Sequence, residues 1–314
     1  MTSSSLAPLV SNLRQKRDAR PQDVIALRLA VFDDAIVSST DAEALMSLDE
    51  CMSQPCPEWR AFFVEALTDF IVQQEQPRGY VDPANARWLM TAIRRDATVK
   101  PNELELLVHV LETAVSVPED LQKFTLKQIR HAVLFGEPRN TVTDAAVELL
   151  RRALFAGASA GSVAISRDEA ELLFDIADAT RDSANAASWT DFFAKAVANL
   201  LMAAKGYTAP SREVALRRGR WLSDQSVEPL SFTARVLASL SNGLLVNYSL
   251  AEGSEMPTAT DGHEIVTAAE AQWLSERVKK DGMLSEIEKL MLERIRAEAS
   301  NLHPTLQPLF EWAA

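Results

Sequence analysis

The feature that most constrains this chain is that it repeats itself. Trp59, Phe62, Phe63, Ala66 and Leu67 recur with the same spacing as Trp189, Phe192, Phe193, Ala196 and Val197. Upstream, Val37, Asp41, Ala42 and Glu43 recur as Ile165, Glu169, Ala170 and Glu171. Both tryptophan segments lead into a Gly-Tyr pair, Gly79-Tyr80 and Gly206-Tyr207, with Pro83 and Pro210 just beyond. A later pair follows: Ala86, Trp88 and Leu89 recur as Ala271, Trp273 and Leu274, and at that shift Val99 and Glu103 recur as Leu284 and Glu288. The order A, B, A′, B′ implies a duplicated unit. The wider shift of the second pair implies an inserted segment at about residues 211–266.

The repeated unit reads as helix. Leu104, Leu107, Val108, Leu111 and Val115 fall on one face at helical spacing, and Ile287, Leu290, Met291 and Ile295 repeat the stripe. Glycine is scarce at 10 residues and no segment alternates as a strand would. The fold expected is all-α: two packed helical lobes built from degenerate EF-hand-like helix-turn-helix pairs. Phe135-Gly136-Glu137-Pro138 is a glycine–proline helix stop, which sets the boundary. The division is a mobile N-terminal arm at 1–20, a first lobe at 21–138 and a second at 139–314. The insertion looks like further helix, with Phe232, Val236, Leu240 and Leu244 at four-residue spacing and a polar loop from Ala251 to His263.

The formal charge of −12 gives a surface that repels nucleic acid and anionic lipid as a whole. No apolar run is long enough to cross a membrane, and the polar N-terminus lacks a secretory h-region. Cys51 and Cys56 are too few for a disulfide framework or a zinc site and read as reduced. The chain is therefore expected to be cytoplasmic.

One pattern occurs four times: an aliphatic residue, three mostly polar residues, then an acid that opens an apolar helix. The copies run Val37 to Asp41, Val99 to Glu103, Ile165 to Glu169 and Leu284 to Glu288. The last, Asp281-Gly282-Met283-Leu284-Ser285-Glu286-Ile287-Glu288, looks like the second half of a calcium-binding EF-hand loop. The ligand count opposes calcium, because the early ligand positions would be Arg277 and Lys279. The alternative needs no metal. Ser166 to Glu169 and Ser285 to Glu288 are both S-x-x-E, the spacing of a capping box, in which the acid accepts from the amide at its own helix start.

Helical pairs with a D-G-x-[IL]-S-x-x-E turn in an acidic α-helical unit resemble the TerB-like, tellurite-resistance-associated domains. Asp281 to Glu288 carries the resemblance; Asp96 to Glu103 has Ala97 for the glycine and Lys100 for the serine. The resemblance covers about a third of the chain. It implies a compact helical fold and a divalent cation at acidic residues, which here are Asp281, Glu286 and Glu288.

Enzyme motifs are thin. His109, His131, His263 and His303 form no metal-binding pattern, and there is no nucleophile elbow, Walker loop or dinucleotide fingerprint. The Asp33-Asp34 pair reads as a solvated face. Against the acidic background, Arg212, Arg217, Arg218 and Arg220 form a basic stretch suited to an acidic partner, or alternatively a solvated helix face. Arg14, Lys16, Arg17 and Arg20 in the N-terminal arm share that ambiguity. The leading expectation is a non-enzymatic interaction or scaffolding protein whose partner is another protein, with self-association left open and nucleic acid disfavoured. A TerB-like divalent-metal regulator linked to stress response and a metal-dependent hydrolase with ligands from several helices are the alternatives.

Overall fold

A computed structural model describes residues 6–33, 36–53, 55–74, 76–95, 99–156, 165–202, 268–280, 282–298 and 304–313. The chain divides into two compact units, Met1–Ala209 with Glu264–Ala314, and Pro210–His263. Every described residue belongs to the first. The expected insertion at 211–266 lies outside the described residues.

The fold is all-α. Helices α1 (Leu6–Lys16), α2 (Pro21–Val31), α3 (Ser39–Cys51), α4 (Pro57–Thr68), α5 (Pro83–Ile93), α6 (Pro101–Thr113) and α7 (Glu119–Phe135) make up the first part. They are followed by α8 (Asp144–Ala156), α9 (Arg167–Ala179), α10 (Ala187–Met202), α11 (Ala268–Val278), α12 (Glu286–Glu298) and α13 (Gln307–Ala313). A π turn (Asp69–Gln73) extends α4 and a 3-10 turn (Pro304–Leu306) precedes α13. Proline occupies the first turn of α2, α4, α5 and α6, where its missing N–H leaves no helical bond unmade. Asp82 caps α5, its Oδ1 accepting the Ala84 and Asn85 amides at 2.6 and 2.7 Å.

Several helix pairings of the first part have counterparts in the second. α2, α3 and α6 pack on α4, as α8, α9 and α12 pack on α10. α7 packs on α5 and α6, as the 3-10 turn packs on α11 and α13 on α12. Trp59 and Trp189 are both buried in the first turn of their helices, each packed against the two following phenylalanines in tilted or edge-on contacts with ring centres 5.7–6.3 Å apart. Trp88 and Trp273 differ more: Trp88 meets Phe70 edge-on at 5.2 Å, whereas Trp273 meets Phe174 at 6.1 Å.

Two aliphatic cores form, but they do not separate at residue 138. α6 presents Leu106, Leu107 and Val110 to the first core and Leu104, Val108 and Leu111 to the second. α7 gives Leu121 and Phe124 to the first, and Leu126, Ile129 and Val133 to the second. The single apolar stripe expected on α6 is thus a helix buried on two sides, and Val115 lies beyond its end, 45% exposed. In α12 the buried set is Met291, Leu292 and Ile295, while Leu290 is 47% exposed.

The N-terminal arm requires correction. Residues 6–16 form α1, which buries Leu6, Val10 and Leu13 against α2 and α3. One buried residue per turn is sufficient to dock a short helix, and the charged residues of α1 lie on its other faces.

Two glycines hold tight joints. Gly79 has φ +87° and its carbonyl accepts the Val115 amide at 2.7 Å, tying the loop before α5 to the α6–α7 joint. A Cβ on Gly136, at the end of α7, would stand 2.3 Å from the Ala132 carbonyl oxygen.

Candidate functional site

The four recurrent acids all lie at the third position of a helix, and all are buried: Asp41, Glu103, Glu169 and Glu288 are 2–7% exposed. Each bonds to its own helix start. The Ser38 amide donates to Asp41 Oδ2 at 3.1 Å, Lys100 to Glu103 Oε2 at 2.8 Å, Ser166 to Glu169 Oε2 at 2.6 Å and Ser285 to Glu288 Oε2 at 2.9 Å. In three copies the serine hydroxyl accepts the acid's own amide in return, at 3.2, 3.3 and 3.4 Å. These are capping boxes, with Lys100 supplying only the backbone half. The residue before each cap packs into a core: Val37 and Ile165 are 1% exposed, and Val99 and Leu284 are partly buried. The burial of that residue explains why the pattern begins with an aliphatic side chain.

This placement bears on the metal assignment. Glu288 is engaged by the Ser285 amide and hydroxyl, while Glu286 is exposed and pairs with Lys289 Nζ at 2.6 Å. The two carboxylates serve different purposes and do not share a site; Asp281 lies outside the described residues. Among the described residues no group of three or more His, Cys, Asp and Glu side chains is placed to hold a metal ion.

Arg277, the residue at the first EF-hand position, has a structural task. It is 6% exposed, its Nε donates to Glu171 Oε2 at 3.1 Å and its terminal nitrogen to Asp178 Oδ2 at 2.8 Å, with Asp175 Oδ1 at 3.7 Å. Glu171, Asp175 and Asp178 lie on one face of α9. The Trp273 indole N–H also donates to Glu171. The cation at the loop start thus fixes α11 to α9.

A second buried polar cluster was not read from the sequence. Asp49, 3% exposed, accepts from the Trp59 indole N–H and from Asn102 Nδ2, both at 2.7 Å on Oδ1. Lys100 Nζ donates to the Asp49 carbonyl at 3.0 Å and Arg60 Nε to Asn102 Oδ1 at 2.8 Å. The cluster ties α3, α4 and α6 together. The sequence signal was weak: Asn102 is a single amide among the acids and aliphatic residues of α6.

Where the two cores meet, Arg152 of α8 is held by two glutamates of α6, Glu105 at 2.8 Å and Glu112 at 2.6 Å. Arg152 is driven above its usual range by these bonds, and Glu112 is held below the usual carboxylate value, mainly by the Arg152 guanidinium against the opposing effect of burial. Beside this cluster an open groove of 570 Å³ runs between α6, α7 and α8, lined by Leu104, Ile129, Val133, Leu149 and His131. His131 faces the Phe135 ring at 4.8 Å, and His109 lies 3.7 Å from Glu112. His263 and His303 lie outside the described residues. Cys51 and Cys56 are half-buried and not joined. Arg212, Arg217, Arg218 and Arg220 are also outside the described residues. No described helix is long and apolar enough to cross a membrane.

The chain matches no protein-family model, no curated protein and no solved structure.

Proposed function

We propose that this protein is a non-enzymatic interaction or scaffolding protein: a duplicated helical body carrying a partner-specific segment at 211–266. One observation carries the reading. The acids that recur along the chain are engaged by the amides of their own helices, so what the two parts have in common is capping and core packing, which specify a fold. What differs is the connection from α4 to α5 in the first part and from α10 to α11 in the second. In the first it is residues 69–82; in the second it holds the whole of Pro210–His263. Added connecting segments on a rigid body are where recognition surfaces arise. The arginines at 212, 217, 218 and 220 give this segment the charge to meet an acidic protein.

The test is deletion of residues 211–264 with a short linker in their place. The expected result is an unchanged cooperative melt and loss of a partner retained by the full chain. Replacing the four arginines by serine is expected to weaken the same interaction. Partner retention by the deletion variant would refute the assignment. Calorimetry with calcium, magnesium, manganese and zinc tests the metal-regulator alternative. The scaffold reading expects neither binding heat nor a shift in melting temperature.

A further inference from the structure

The helices α2 and α8 carry one burial pattern. Val24, Leu27, Ala30 and Val31 are buried on α2; Val147, Leu150, Ala153 and Leu154 are buried at the corresponding positions of α8. By that correspondence Ile25 matches Glu148 and Leu29 matches Arg152. On α8 this face is a docking face, since Arg152 lies between Glu105 and Glu112 of α6. Among the described residues no α6-like helix precedes α2. Solvent-facing positions are ordinarily polar. The chain instead has Ile25 and Leu29 one turn apart, 59% and 70% exposed.

We propose that the occupant is a second copy of this chain, bound by a two-fold antiparallel pairing of α2 with itself. An axis near Leu27 brings Ile25 of each copy against Leu29 of the other, a self-complementary contact of the kind two-fold dimers use. The same axis sets Arg20, exposed before α2, beside Asp33, exposed after it, of the other copy. Two opposite-charge pairs then flank the apolar centre. The antiparallel helix dipoles add to the match.

The experiment is sedimentation equilibrium of the full chain across a wide concentration range, with melting temperature recorded for every variant. The unaltered protein is expected to be a dimer, and Leu29→Glu a monomer that still melts cooperatively, without the concentration-dependent gain in melting temperature that association gives. Arg20→Asp and Asp33→Arg are each expected to raise the dissociation constant roughly three- to tenfold, with the double variant regaining affinity. The Arg20 cap bond uses its backbone N–H, so the side-chain change leaves α2 capped. A protein that stays monomeric at all concentrations overturns the proposal. So does a dimer that survives Leu29→Glu, or one in which the charge reversals do not compensate.

Discussion

The Arg277 guanidinium lies 4.7 Å from the centre of the Phe174 ring, at the inner end of its bonds to Glu171 and Asp178. The arginine is buried while its carboxylate partners are half exposed, so removing it leaves acids that water can reach. The loss is then that of two charge-assisted bonds and a ring contact. Arg277→Met is expected to cost about 2 kcal/mol in denaturant unfolding. Arg277→Lys is expected to recover only part of that, because an ammonium cannot span both acids.

Removal of the capping serines tests the four-fold motif. Ser38→Ala, Ser166→Ala and Ser285→Ala each forfeit the hydroxyl that accepts the amide of the following acid, and each is expected to cost about 1 kcal/mol. Because no metal enters this account, the cost measured in chelator and in millimolar calcium is expected to be the same. A calcium-dependent difference at Ser285 alone would restore the metal reading of that turn.

Two carboxylates give opposite pH signatures. Glu112 lies below its ordinary value of 4.5 because Arg152 bonds its charged form, so its contribution is present above 4.5 and is lost as pH falls through the lowered value. Glu112→Gln is therefore expected to destabilise at neutral pH, with the difference from the unaltered protein shrinking in acid. Glu169 is pushed above 4.5, chiefly by burial, against the opposing bonds from Ser166 and Gln122. Its folded state favours the protonated form, so stability falls as pH rises from 4.5 through the raised value. Glu169→Gln is expected to cost more below pH 4.5 than at neutrality. Urea unfolding at a series of pH values reads both signs.

The buried Asp49 carboxylate serves two donors at once. Asp49→Ala leaves the Trp59 indole N–H and Asn102 Nδ2 without their acceptor, at an expected cost of about 2 kcal/mol or more. Asp49→Asn retains an acceptor oxygen and is expected to be milder. Tryptophan fluorescence together with denaturant unfolding distinguishes the two variants.

Much of this architecture is legible from residue order because it depends on local rules. An aliphatic residue followed by three mostly polar residues and an acid that opens an apolar helix marks a helix start by local capping, and the four starts read that way are present. Periodicity identified α6 as a helix but misjudged its faces. The stripe Leu104, Leu107, Val108 and Leu111 counts apolar residues without knowing which neighbour each will meet. α1 was missed because three buried residues in a short polar segment give a weak pattern until α2 and α3 are beside it.

By itself the sequence determined that the chain is helical, where the four acid-capped helices start, and which segments recur, because capping, proline placement and apolar spacing act within a few residues. Tertiary structure alone decided that α6 and α7 serve two cores at once, that Arg277 is bonded to acids more than ninety positions earlier, and that Asp49, Trp59 and Asn102 meet. Those outcomes depend on which distant surfaces exclude water from one another, and no local spacing encodes the partner.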